Sequence, residues 1–153
     1  MKKILIICLA LFSIAGTAQR YKNPASYLRE FTNQDRKIQV KTFRYMEATL
    51  KGIDERMVSR YREMVAEQLK DSKRELSRVG DYNGDETVLK EYNKALDLYI
   101  DAFEKNFGSA DELIKNRYNS YEDLKKYYEA TEKAEDQMIE AAYIMETAVD
   151  YFA

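Results

Sequence analysis

Apolar side chains recur every three or four positions through four long stretches of this chain, the period of helices that bury one face. In the first stretch Asn23 and Pro24 read as an N-cap followed by proline at the first helical position, with Gly52 as the stop after Lys51. Its apolar stripe is Tyr27, Leu28, Phe31, Ile38, Tyr45, Met46 and Leu50. The second stretch starts behind Asp54 and ends at Gly80, with Val58, Tyr61, Val65, Leu69, Ser72, Leu76 and Val79 on one face. Gly80-Asp81-Tyr82-Asn83-Gly84-Asp85 is the clearest turn, and Asp85 is placed to cap the third helix. The third stretch carries Leu89, Tyr92, Leu96, Tyr99, Phe103 and Phe107 as far as Gly108, where Ser109-Ala110-Asp111-Glu112 reads as a capping box that starts a short helix afresh. The last begins at Asn119 or Ser120. Its seam of Tyr121, Leu124, Tyr128, Thr131, Glu135, Met138, Ala142, Met145, Val149 and Phe152 alternates steps of three and four.

Short links after the first two helices favour antiparallel neighbours. The chain is therefore predicted to be all-α, an up-down antiparallel four-helix bundle with a short extra helical turn before the last helix. No internal repeat, low-complexity tract or second domain interrupts it.

The first 18 residues follow a different rule. Lys2 and Lys3 precede an apolar run over residues 4–14, and Ala15-Gly16-Thr17-Ala18 supplies the small residues of a signal-peptidase site. This reads as a signal peptide over residues 1–18, cleaved after Ala18, with one helical-bundle domain over residues 19–153. The run falls short of the ~20 residues of a membrane span, so no integral membrane segment is expected after cleavage. The expected location is the periplasm, the cell surface or the medium. Cys8 stands at the start of the apolar run behind the bulky Ile7, which argues against a lipid anchor.

Composition then narrows the chemistry. Cys8 is the only cysteine and departs with the signal, and the chain has no histidine and no tryptophan. The commonest general base and the commonest transition-metal ligands are thereby missing. Haem ligation by histidine, the Glu-x-x-His pairs of di-iron bundles, histidine-based triads and zinc sites all need residues absent here. No cofactor and no enzymatic activity are expected, and an enzyme built on Tyr, Lys and carboxylates ranks below the other readings.

Charge divides by half. Residues 19–80 hold 15 Lys/Arg against 9 Asp/Glu, and residues 81–153 hold 8 against 18. A basic hairpin packing on an acidic one accounts for this. The basic residues interleave with glutamates, and the exported compartment makes nucleic acid an unsuitable partner.

Three sets of residues qualify as candidate sites. Asp81-x-Asn83-Gly84-Asp85 resembles the start of a calcium loop, but glycine falls at position 4 and position 12 is Tyr92, so a plain turn fits better. Asp35 and Glu135 lie on apolar stripes. As buried carboxylates on facing helices they would suit a hard cation or an acid–base pair; as marginal residues they would pair with Lys41 or Lys133. Of the 13 tyrosines, Tyr27, Tyr45, Tyr61, Tyr92, Tyr99, Tyr121 and Tyr128 fall on stripes and are expected in the core. Tyr118, Tyr127, Tyr143 and Tyr151 fall off them and form a candidate interaction surface for a protein or glycan, or are ordinary surface residues.

Asn23-Pro24-Ala25-Ser26-Tyr27, Gly84-Asp85, and the run from Asn119-Ser120-Tyr121-Glu122-Asp123-Leu124 through Tyr127-Tyr128-Glu129-Ala130 to Glu132-Lys133-Ala134-Glu135 together resemble a family of exported, surface-located helical proteins of unknown function from leptospires and Bacteroidetes-type bacteria. The resemblance spans nearly all of the mature chain and implies a surface or periplasmic location without assigning an activity. The family has a histidine near the end of the first helix where this chain has Leu50, so no role of that histidine transfers. The function expected is that of a non-enzymatic interaction or scaffolding protein, able to form oligomers. The alternative is a carrier of a small ligand or cation, held in a cavity or by carboxylates between helices.

Overall fold

A computed structural model of the protein describes residues 21–152. The signal peptide read over residues 1–18 and its cleavage point lie outside the described residues.

Local chemistry sets the helix ends where the sequence places them. Helix α1 (Pro24–Leu50) opens on Asn23, whose side chain accepts from the Ser26 amide while the Ser26 hydroxyl faces the Asn23 amide. It closes ahead of Gly52, which takes a positive φ of 59°. Helix α2 (Glu55–Val79) is capped by Asp54, which accepts from the Arg56 amide. The link to the third helix is a two-residue turn, with Asn83 at φ 56° and Gly84 at φ 86° between paired Tyr82 and Asp85. Positive φ at both central positions is what Asn-Gly supplies. The Asp81 carboxylate accepts from the Gly84 amide and that of Asp85 from the Thr87 amide, so both serve the turn and the helix start.

Helix α3 (Thr87–Asp101) does not stop at Gly108. It passes through a π-helical turn (Ala102–Asn106) straight into α4 (Phe107–Leu113), one continuous rod. The expected fresh start at Ser109 is corrected: its hydroxyl bonds back to the Lys105 carbonyl, and Asp111 accepts from Arg62. The helical turn before the last helix is thus the end of the third rod. The π turn has a packing reason. Tyr99, Phe103 and Phe107 are two successive steps of four, which would drift ~40° per step on a 3.6-residue helix. One wider turn, closed by the Phe107 amide on the Ala102 carbonyl, brings the face back inward. Helix α5 (Tyr121–Phe152) starts behind Ser120, which accepts from the Asp123 amide.

Close backbone approaches join α1 to α2, α2 to α3 and α3 to α5, whereas α1 and α5 stand further apart. The result is an all-α four-helix bundle with one seam less tightly closed than the others. No helix among the described residues is long and apolar enough to cross a membrane.

The core follows the stripes of α1 to α3. Tyr27, Phe31, Val65, Leu69, Leu76, Tyr92, Leu96 and Phe103 are essentially fully buried. At one end Tyr27 gathers the rings of Tyr21, Phe31, Tyr82 and Phe152, with centroids 5.1–5.4 Å away, and its hydroxyl donates to the Gly80 carbonyl at 3.0 Å. Burial, followed by neighbouring Tyr21 and acidic groups, raises its pKa to about 12. Ser72 interrupts the apolar stripe of α2 without an unmet polar group: it donates to Gln34 Oε1 and accepts from Gln68 Nε2, both at 3.2 Å. Such a satisfied pair inside the first hairpin fixes its register.

The seam of α5 differs from the reading of its pattern. Leu124, Thr131, Met138, Met145, Val149 and Phe152 are partly buried as read, but most of the other half of the seam is not. Tyr121, Tyr128, Glu135 and Ala142 are exposed, whereas Ala134, Ala141 and Ala148 are buried, with Tyr127 half-buried one heptad earlier. Tyr121 and Tyr128 are therefore corrected from core to surface, as are Met46 and Leu50 of α1. Alanines let α5 lie close along α3, where a tyrosine would hold the helices apart.

Candidate functional site

Along the looser α1–α5 seam runs a groove of about 850 Å³. Ile38, Phe43 and Met46 of α1 and Met138, Ala142 and Met145 of α5 line it, with Tyr99 of α3 and Asp35 alongside. A smaller gap of about 250 Å³ continues it toward the far end of α1, between Tyr45, Leu50, Phe103, Tyr127 and Met138. The outer rim is exposed apolar surface: Leu50 is 85% accessible, Phe43 69% and Ile139 68%. Gln39, Arg44 and Glu47 of α1 share the groove, so charged and polar side chains flank this apolar surface.

The structure separates the two candidate carboxylates. Asp35 is half-buried and accepts a hydrogen bond from the Tyr92 hydroxyl, not a lysine; among the described residues no ion pair reaches it. Burial raises its pKa above the usual carboxylate range, and the Tyr92 bond pulls it only partly back. The Tyr92 hydroxyl is pushed upward by burial and then by the Asp35 charge, so it stays a donor. Glu135 is exposed at the rim of the smaller gap and joins no ion pair with Lys133 among the described residues.

A consequence of the raised Asp35 pKa can be measured. The folded state binds this proton more tightly than the unfolded chain, so its contribution is fully present below the ordinary pKa and lost as pH rises through the raised one. Asp35→Asn keeps an acceptor for Tyr92 without the buried charge. It should be more stable than the parent at pH 7, and the advantage should vanish near pH 3 in urea denaturation. A variant less stable at pH 7 would mean that the charge itself is needed.

The four tyrosines set apart by the sequence do not form one patch. Tyr118, Tyr143 and Tyr151 are exposed, but Tyr127 is half-buried with its ring against Tyr128. Tyr118 and Tyr127 are joined through Arg117, whose guanidinium lies 4.7 Å from one ring centre and 5.4 Å from the other. Tyr143 is 16 positions beyond Tyr127 on the same helix, ~24 Å away along its axis.

The sequence reading missed one polar cluster. Arg62 of α2 donates from Nε to Asp111 Oδ2 at 2.7 Å and from Nη1 to the Phe103 carbonyl at 2.9 Å, within the π turn. Ser59 adds a bond to the same carboxylate. Both charged side chains are largely buried, and Gly108 lies beneath the guanidinium, where a Cβ would stand 3.5 Å from Nη1. Burial raises the Asp111 pKa, outweighing Arg62. The double step of four through Tyr99, Phe103 and Phe107 was the available signal for this turn. Nearby, Lys70–Glu104 and Lys73–Asp97 also tie the first hairpin to the third rod, so the opposite charges of the two halves meet here.

Comparison of the chain with protein-family models, curated proteins and solved structures finds no match. The resemblance to exported helical proteins thus rests on the sequence motifs alone.

Proposed function

We propose that this chain is a non-enzymatic, exported helical-bundle protein of the periplasm or cell surface that works by presenting its α1–α5 face to a macromolecular partner. The observation behind the reading is the exposed apolar strip of Phe43, Met46, Leu50 and Ile139 along a groove the bundle leaves open. Leaving such surface in water costs about 25 cal/mol per Å², a cost that covering it recovers. The composition adds support, since histidine and mature cysteine, the usual workers of a catalytic site, are missing.

A second reading, a carrier of a small ligand or cation, draws on Asp35 beside the groove with no cation paired to it among the described residues. A photo-crosslinking residue at position 43, introduced in the native host, tests the first reading. It should yield a heavier adduct that the same residue at the exposed position 67 of α2 does not. Absence of any adduct at position 43, with displacement of an apolar dye by small amphiphiles, would replace the interaction reading with the carrier.

A further inference from the structure

We infer that the partner on the α1–α5 face is a second copy of this chain, related by a two-fold axis parallel to the helices; this rests on the interaction reading above and names its partner. Beside the groove, α1 and α5 each carry a line of exposed residues with heptad steps that the bundle leaves uncovered. On α1 it is Arg29, Thr32, Arg36, Gln39, Phe43, Met46 and Leu50; on α5 it includes Tyr121, Tyr128, Glu132, Glu135, Ile139 and Glu146. Alternating steps of three and four along one line are the pattern by which helices pack on helices.

The α1 line runs from basic to apolar along its length, and the α5 line carries carboxylates at the level of the basic part. The rings of Tyr27 and Phe152 lie 5.4 Å apart, so the start of α1 is level with the end of α5. Leu50 shares the smaller gap with Tyr127 and Thr131, so the end of α1 is level with the start of α5. On these levels Phe43 stands opposite Ile139, Met46 opposite Glu135, and Leu50 opposite Tyr128 and Glu132. Arg29 and Arg36 are level with Glu146 and Asp150, and none of these four joins an ion pair among the described residues.

A homodimer interface must be complementary to itself, and only one two-fold satisfies this face. An axis parallel to the helices keeps every residue at its height and lays each copy's α1 over the other's α5. Arginines then meet carboxylates, Phe43 meets Ile139, and Leu50 meets the ring of Tyr128. The perpendicular in-plane axis lays α1 on α1 end for end, setting Arg29 and Arg36 against Leu50 and Phe43. Two neighbouring helices ~40 Å long give a face of roughly 800 Å² per copy, the size of a standard stable interface.

Sedimentation equilibrium of the purified chain tests this. Dimers are expected, with Phe43→Glu weakening association at least ~10-fold without changing the helical circular dichroism, since Phe43 packs at an exposed position. The axis is tested by charge reversal. Arg29→Glu with Arg36→Glu, and separately Glu146→Lys with Asp150→Lys, should each be monomeric alone and form a heterodimer when mixed. A monomeric parent chain at ~100 µM, or dimers indifferent to both reversals, would overturn the proposed pairing. A monomer whose position 43 still crosslinks to another molecule in the host overturns the pairing and leaves the interaction reading standing. A monomer without any crosslink overturns both.

Discussion

Replacing Arg62 by methionine is expected to destabilise the fold by about 3 kcal/mol, since removing one partner of a largely buried ion pair strands the other. The guanidinium serves two acceptors, the Asp111 carboxylate and the Phe103 carbonyl of the π turn. Methionine fills much of the volume and meets neither. Asp111 would keep only the Ser59 hydroxyl, at 3.3 Å. Its pKa, already raised by burial, would rise further without the guanidinium. A raised carboxylate pKa means stability lost as pH rises through it, so the deficit of Arg62→Met should be largest at neutral pH and shrink toward pH 3. Adding Asp111→Leu removes the stranded charge and should recover much of the loss. Urea denaturation at pH 7 and pH 3 on the single and double variants reads both effects. A single variant within ~0.5 kcal/mol of the parent would mean that the cluster is a surface feature with no structural weight.

The second large effect separates two registers of the last helix. Ala141→Leu forces three extra carbons into the contact of α5 with α3 and should cost ~1–3 kcal/mol, as overpacking does. Ala142→Leu, one position along, points to the exposed flank and should stay within ~0.5 kcal/mol. Thermal and chemical denaturation of the two variants give the order. Were Ala142→Leu the more damaging, Tyr121, Tyr128 and Glu135 would turn inward, and the open face of the bundle would close.

Helix ends were legible in the chain because their causes are local. Asn23 with Pro24, Asp54 and Ser120 each satisfy an amide two or three residues away, and Gly52 and the Asn83-Gly84 turn adopt positive φ without help from distant residues. The buried face of α2 was equally legible, since its valines and leucines share one stripe with Ser72 and nothing of comparable size competes. In α5 two stripes compete. Leu124, Met138, Met145 and Phe152 belong to both, and the choice lies between large residues at 121 and 128 and the small ones at 134, 141 and 148. An alanine buries little apolar area, so a hydrophobicity pattern undervalues it. What it contributes is a short distance between helices, a property of the pair.

The candidate site divides along the same line. Asp35 stood out in the sequence as a polar residue on an apolar stripe, but its partner Tyr92 is 57 positions away; Arg62 and Asp111 are separated by 49. Local spacing determined the four helices, the caps at Asn23, Asp54 and Ser120, the helix order, and the inner faces of α1 to α3 apart from Met46 and Leu50, because each depends on neighbours within one or two turns. Tertiary structure alone decided which side of α5 is covered, which carboxylates are shielded from water, and that the α1–α5 seam stays open, because each depends on how closely distant helices approach one another.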